Sequence, residues 1–293
     1  MRHVIEFTKA SGAGNDFVLI DNMDERLGLD KAQLAQALCS RRFGVGADGL
    51  LLLEPSTQGD FFMRYYNADG SYGGMCGNGG RCVARYAYVH SIAKSPMRFV
   101  ALDHTYQAEI IGGLVRLKMK DSSDYRQRIS IDVDNQVYAG SFLNTGSPHT
   151  ILFVKDLEGV DVERIGQQIR QHSLFSPEGT NVNFVRIGTA NSIDIRTYER
   201  GVEAETLACG TGSVASALVA AFEHGLKSPV RVRVRSGEDL HVYFEIRGQT
   251  ASEVYLEGSA RFLFTGTTVY DSETGLLIDT VTEHSLHRST LSP

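Results

Sequence analysis

The stretch Met63–His90, MRYYNADGSYGGMCGNGGRCVARYAYVH, returns in outline as Ile195–Gly225, IRTYERGVEAETLACGTGSVASALVAAFEHG. Cys209 lies 133 positions after Cys76, and Tyr198 lies 132 after Tyr66. Beyond the glycines each copy enters an alanine-rich apolar segment and then a proline, KSPMRFVA at Pro96 and KSPVRVRV at Pro229, again 133 apart. Upstream, GAGNDFVLID sets Asn15 61 residues before Cys76, and TGSPHTILFV sets His149 60 before Cys209. The chain therefore contains one order of elements twice.

That order is a Gly-turn into a strand, a helical stretch, a strand ending in a polar turn, a Gly-turn opening a buried helix, and alternating strands. Helices are expected over Asp30–Arg42, Arg81–His90, Val162–Gln171 and Ser213–His224. The two that follow the Gly-turns, with VARYAYV and VASALVAAF, are apolar nearly all round, which predicts that a curved sheet wraps each. The fold class is α+β, with two similar pseudo-symmetric domains. The first is expected over 1–128, joined by the returning chain at 263–275, and the second over 129–262. The boundary falls in the polar stretch 121–134, and 276–293 reads as a C-terminal tail.

Composition narrows the function. With 293 residues the chain can bury a substantial core. Lys plus Arg is 29 against 35 Asp plus Glu, a net charge of −6, which offers no broad basic surface for nucleic acid or anionic lipid. No apolar run approaches the roughly 18 residues of a membrane span, and MRHVIEFTKAS lacks a signal-peptide core. A cytoplasmic protein acting on a small molecule is expected, with neither nucleic acid nor membrane as partner and a homodimer as its assembly. Glycine, at 30 residues against only 6 prolines, points to tight turns and close approaches rather than disorder. The four cysteines form no CxxC pair and have no zinc-finger histidine, so neither a disulfide framework nor a structural metal is indicated.

GVGADG at Gly44–Gly49 fits GxGxxG, yet a dinucleotide loop must leave a strand and enter a helix. Here a helical AQLAQALCSRR precedes and a strand LLLLE follows, so the segment reads as a helix-ending turn. CGNGG at Cys76 and CGTGS at Cys209 are different. Each puts a thiol at a helix N-terminus, where unpaired N–H groups and the helix dipole favour a carboxylate and are expected to lower a thiol pKa. Pseudo-twofold symmetry would let the two thiols face one bound molecule from opposite sides. Opposed acid/base groups on one carbon suit inversion of a stereocentre: one removes the proton and the other returns it to the opposite face. Mild oxidation is then expected to join Cys76 to Cys209 ahead of Cys39 and Cys82, which read as packing residues. His149, in the turn equivalent to Asn15, is a candidate hydrogen-bond partner for a thiol. Glu199 and Arg200 end a strand beside the Cys209 turn and are candidate ligand contacts.

At these residues the sequence resembles the diaminopimelate epimerase family of cofactor-independent amino-acid racemases. The markers GAGNDF, NADGS, MCGNGGRC, TGSPH, NVNF, YERG and ACGTG occur in order over about Val4–Phe264. The MCGNG form is similar to the epimerases, whereas proline racemases generally carry a histidine after CG. The resemblance implies two domains, each a partly open β-barrel around a central helix, closing on LL-2,6-diaminoheptanedioate and converting it to the meso isomer without cofactor or metal. It implies Cys76 and Cys209 as the catalytic thiolate and thiol, assisted by His149 and Glu199. Asn15, Asn67 and Asn181 are implied as substrate-binding asparagines. Gly77 with Asn78 and Gly210 with Thr211 are implied as the N-termini holding the reacting carboxylate, and Glu199 with Arg200 as contacts to substrate amino and carboxylate groups. The chain departs from the family at Ser147, where asparagine is common and where a serine reaches less far, and at Gly49, where some members have a glutamine that contacts substrate. The segment FSPEGTN before Asn181 also lacks the usual arginine. Two other readings stay open: a racemase of the same design for another amino acid such as lysine or histidine, and a protein that closes on an amino acid without chemistry.

Overall fold

Parallel neighbouring strands cannot be joined by a hairpin and need a crossover, and the four α-helices among the described residues serve four such crossovers. The structure, a computed structural model, describes residues 1–278. In the first half, β1 (Arg2–Gly12) and β2 (Asn15–Asp21) form a hairpin. Its two-residue turn, Ala13–Gly14, has both φ angles positive (57° and 93°), as a tight twisted hairpin requires. Helix α1 (Lys31–Cys39) leads to β3 (Gly49–Glu54), parallel to β2, and β4 (Phe61–Asn67) runs back beside β3. Helix α2 (Gly77–Val89) then crosses to β5 (Met97–Ala101), parallel to β4, which continues as a meander through β6 (His104–Ile111) and β7 (Leu114–Lys118).

The second half repeats this. A hairpin of β8 (Ser123–Val133) and β9 (Gln136–Asn144) precedes β10 (Pro148–Phe153), and α3 (Val162–Arg170) crosses to the parallel β11 (Asn181–Ile187). β12 (Ser192–Glu199) and β13 (Ala204–Thr206) lead into α4 (Gly210–His224). α4 crosses to β14 (Val230–Arg233), parallel to β12, followed by β15 (Asp239–Arg247) and β16 (Thr250–Gly258). The chain then returns as β17 (Arg261–Asp271), antiparallel to β1 from Arg2↔Asp271 to Ser11↔Arg261. β17 thus stands to β1 as β8 stands to β9. β16 pairs with β7, Leu256 opposite Leu117, so the two halves share one continuous sheet.

Each half has an inner and an outer core. Around α2 the inner core packs Phe17, Leu51, Phe61, Met63, Phe99 and Leu117, and around α4 it packs Ile151, Val185, Ile195, Val232, Leu240 and Val254. α1 and α3 cover the outer faces. They are capped as expected of surface helices: Asp30 accepts from the N–H groups of Ala32 and Gln33, and Asp161 from that of Arg164.

Four expectations shift. α1 is shorter than Asp30–Arg42, because the chain turns after Cys39 through GVGADG into β3. The buried helices begin at Gly77 and Gly210 rather than Arg81 and Ser213, so the glycines form the first turn despite their low helix propensity. At Gly212 packing requires the glycine: a Cβ would meet Asn183 Oδ1, which Thr197 holds in place, at 2.4 Å, whereas one on Gly80 would press only on the flexible end of Met75, Cε at 2.9 Å. The stretch 121–134 is largely a strand, β8, paired with β9. The tail from 276 opens as β18 (Leu276–Ile278), paired with β17; its remainder, 279–293, lies outside the described residues.

Leu218 is fully buried on α4 within the inner core. Leu218→Ala should cost about 2–5 kcal/mol in chemical denaturation; a loss below about 1 kcal/mol, the range of a surface substitution, would contradict an enclosed α4.

Candidate active site

The two buried helices meet at their N-termini. A Cβ on Gly210 would lie 3.2 Å from Leu256 Cδ2 and 3.9 Å from Gly77 Cα, and one on Gly77 would lie 3.9 Å from the same Leu256 atom. Cys76 and Cys209 occupy the two N-cap positions with extended backbones. Cysteine is a poor cap beside Ser, Thr, Asp or Asn, so capping alone does not account for it. The Cys76 sulfur accepts from the Gly79 N–H at 3.5 Å, whereas Cys209 makes no capping bond from its side chain. Its Sγ instead lies 3.6 Å from Thr211 Oγ1.

Desolvation reverses one expectation. Burial pushes both thiols above the ordinary thiol range, and the hydrogen bonds at the helix ends only partly offset this. For Cys209 the next contribution is the Glu199 carboxylate, which raises it further. Both thiols are therefore protonated in the free protein at neutral pH, and a lowered pKa does not set them apart from Cys39 and Cys82, each pushed up to about 12 mainly by burial.

Asn15 opens β2 next to Cys76. Its amide donates to Asp48 Oδ2 at 2.5 Å, and its carbonyl oxygen lies 3.6 Å from Cys76 Sγ and 3.5 Å from Asn78 Nδ2. Asp48 is held in turn by Arg41, which also pairs with Asp16. Buried Lys9 reaches Asp16 at 2.7 Å and the Gly46 carbonyl. The Arg41 and Lys9 cations outweigh burial and hold the Asp16 carboxyl down at about 2. Asn67, at the end of β4, donates to Ser71 Oγ within the NADGS turn.

On the opposite side, Asn181 begins β11. Its amide nitrogen donates to Ser147 Oγ (3.0 Å) and the Pro148 carbonyl (2.9 Å), and its oxygen accepts from the Arg200 backbone N–H (2.9 Å). One buried asparagine thus fixes Ser147 and Arg200 together. The Arg200 guanidinium also donates to the Glu178 carbonyl, inside the segment that lacks the usual arginine. Glu199 accepts from Thr206 Oγ1 at 2.8 Å. Burial raises its pKa, with hydrogen bonds from Thr206 and Cys209 acting the other way.

His149 does not sit in a turn, and neither thiol is among its hydrogen-bond partners in the described residues. It lies within β10, fully buried, with Nδ1 3.2 Å from Asn183 Nδ2. An amide N–H can only donate, so Nδ1 accepts and the ring proton sits on Nε2, which has no partner among the described residues. Burial, with the Arg200 charge adding to it, pushes its pKa down to about 3. Asn183 also donates to the Thr150 carbonyl and accepts from Thr197 Oγ1. Sequence reading passed over this residue, although Asn181 and Asn183 in NVNF stand two apart, on one face of a strand.

Gly49 has a local cause. Asn67 is its cross-strand partner and Tyr65 the diagonal neighbour on the same face, and a Cβ at Gly49 would meet Tyr65 Cε2 at 2.4 Å and the Tyr66 carbonyl at 2.5 Å. The Tyr65 ring fills the space that a side chain at 49 would need. Among the described residues, no three His, Cys, Asp or Glu side chains gather as a metal site would require, and no helix is long and apolar enough to cross a membrane.

The fold is that of two-domain proteins already solved. It superposes with a TM-score of 0.69 on a hydroxyproline epimerase from Agrobacterium vitis (14% identity, 96% of this chain and 98% of that one). It matches a PhzF-family phenazine biosynthesis protein from Bacillus anthracis equally well (0.69, 13% identity, 90% and 99%). At such identities the likeness carries the architecture alone. Sequence goes further. The family described as diaminopimelate epimerase matches residues 7–134 and 141–263. A diaminopimelate epimerase of Chlorobaculum tepidum is 48% identical over 262 residues, 88% of this chain and 98% of the relative, and one of Aquifex aeolicus is 42% identical over 275 residues, 89% and 97%. The chain belongs to the diaminopimelate epimerase family.

The buried imidazole gives a direct check. With its pKa at about 3, His149 binds no proton in the folded state as pH falls from 7 to 5, whereas an unfolded histidine titrates near 6.5. Nitrogen NMR should show a neutral ring protonated on Nε2 throughout that range. A midpoint near 6.5 would contradict the geometry.

Proposed function

We propose that the protein is a diaminopimelate epimerase that interconverts LL-2,6-diaminoheptanedioate and its meso isomer by passing a proton across one α-carbon between Cys76 and Cys209. The carrying observation is the pair of thiols at the N-caps of two helices that abut end to end. A substrate carboxylate placed at that junction meets the free N–H groups of Gly77 and Asn78 from one helix and of Gly210 and Thr211 from the other. The α-carbon is then flanked by the two sulfurs. The site is primed when Cys209, protonated in the free protein, passes its proton to the neighbouring Glu199 carboxylate; the thiolate so formed takes the α-proton, the C–H electron pair moves toward the substrate carboxylate, and the helix N–H groups stabilise the charge that develops there. The opposite thiol delivers its proton to the other face, and the carbon is left inverted.

The neighbours fit supporting roles. Glu199, raised by burial and in contact with Cys209, is suited to exchange a proton with that thiol. Glu199 and Arg200 together supply opposite charges for the substrate amino and carboxylate groups, with Asn181 fixing Arg200 and Ser147. His149, neutral with an unpaired Nε2–H, acts as a hydrogen-bond donor rather than a base, since an effective general base has a pKa near the working pH. Asn15, whose oxygen faces Cys76, and Asn67 are assigned to the substrate on the family likeness. The reading calls for no cofactor.

The test is conversion of LL-diaminopimelate with the isomers separated. Wild type should form the meso isomer, while lysine and histidine, which lack the distal carboxylate, should not be inverted. Cys76→Ala and Cys209→Ala should each lose about 10²–10⁴ in rate, the usual worth of a general acid or base, with ligand binding largely kept. Near-normal turnover in either variant would overturn the two-thiol mechanism.

A further inference from the structure

Arg81 is fully buried, one turn into α2, and no carboxylate pairs with it among the described residues. A guanidinium in such a place needs acceptors for its fork of donors, and this one has three, two from the first turn of its own helix and one from the turn between β16 and β17. Nε donates to the Ser259 carbonyl between β16 and β17 (3.3 Å), Nη1 to the Gly77 carbonyl at the start of α2 (3.4 Å), and Nη2 to Asn78 Oδ1 (2.9 Å). Room for the group exists because residue 258 is glycine: a Cβ there would lie 3.2 Å from Arg81 Nε.

The third bond has consequences beyond α2. Arg81 can only donate, so it fixes the Asn78 amide with its oxygen inward and its NH2 outward. That NH2 donates across the junction to the Ala208 carbonyl (3.2 Å), the peptide immediately before Cys209, and lies 3.5 Å from Asn15 Oδ1, the same oxygen that Cys76 approaches. One guanidinium thereby governs, through one amide, the surroundings of both thiols.

We propose that Arg81 is a positioning residue for the inversion: its fork orients Asn78, and Asn78 locks the two helix N-termini so that Cys76 and Cys209 address one carbon. The role depends on fork geometry rather than charge alone. A lysine ammonium is a point donor on a flexible stem and does not satisfy three acceptors at these separations.

The proposal rests on the two-thiol reading and is tested in the full-length enzyme with Arg81→Lys, Arg81→Met, Asn78→Ala and the Arg81→Lys/Asn78→Ala double variant. Measured are thermal stability, kcat and KM for diaminopimelate, and the pH dependence of alkylation at each cysteine, resolved by peptide mass spectrometry. Both Arg81 variants should lose kcat by about 10²-fold, the cost of misplacing reacting groups by roughly 1 Å, with KM changed far less. Alkylation of Cys209 should change although Arg81 sits on the Cys76 helix. The double variant should be no slower than the slower single, because the two residues act as one unit. A folded Arg81→Lys with near-normal kcat, an unchanged Cys209 profile, or additive losses would overturn the role. If Arg81→Met does not fold, Arg81→Lys carries the test, and failure of both to fold would reduce Arg81 to a stability residue. Active single-cysteine variants would instead refute the two-thiol mechanism itself, whereas inactive ones beside a near-normal Arg81→Lys would remove only the role of Arg81.

Discussion

Two helix N-termini meet through Gly77 and Gly210, with Leu256 packed against both glycines and the Asn78 side chain reaching across. Each end carries roughly half a positive charge and N–H groups without helical partners, so bringing two together is unfavourable unless something anionic lies at the junction. Arg81 adds a buried cation beneath it. The chain accepts this arrangement because a barrel of strands encloses each helix and the shared sheet, joined where β7 meets β16, leaves the two ends nowhere else to go. A carboxylate is the natural complement of such a junction, and in the proposed mechanism the two N-cap sulfurs flank the carbon attached to it.

The halves are tied by more than the sheet. The Ala13–Gly14 turn of the first hairpin enters the second half: Ala13 is fully buried in the core around α4, and a Cβ on Gly14 would lie 2.8 Å from Ser236 Cβ. Asn15 follows that turn, and its amide is held by Asp48 while its oxygen faces Cys76. On the other side Asn181 and Asn183 each use their whole amide to hold neighbours, Ser147 and Arg200 for one, His149 and Thr197 for the other. Asparagine suits this work because one planar group both donates and accepts and carries no charge to desolvate.

Much of the architecture was legible because duplication repeats its own evidence. A single glycine-bounded apolar segment is ambiguous, but two of them 133 residues apart, each followed by Ser-Pro and alternating strands, specify two buried helices. The helix starts differ from expectation because glycine propensity is a local signal, while Gly212 is fixed by Asn183, a contact that no local reading supplies. The thiol pKa values were misjudged for a related reason. The favourable helix-end field could be read from the sequence, but the opposing desolvation depends on how deeply the barrels bury the junction. Arg81 stood in plain view in GNGGRC, four residues after Gly77 and therefore on the same helix face, yet only its burial and its three acceptors reveal what it reaches.

The measurement that bears most directly on the central claim is the fate of the α-hydrogen when LL-diaminopimelate is converted in deuterated buffer to low extent. Two opposed monoprotic thiols require that the meso product carry one solvent deuterium at the inverted carbon while the remaining LL pool stays unlabelled. Return of the original proton to the product, or entry of deuterium into the LL pool as fast as into the product, would contradict an α-carbon held between Cys76 and Cys209.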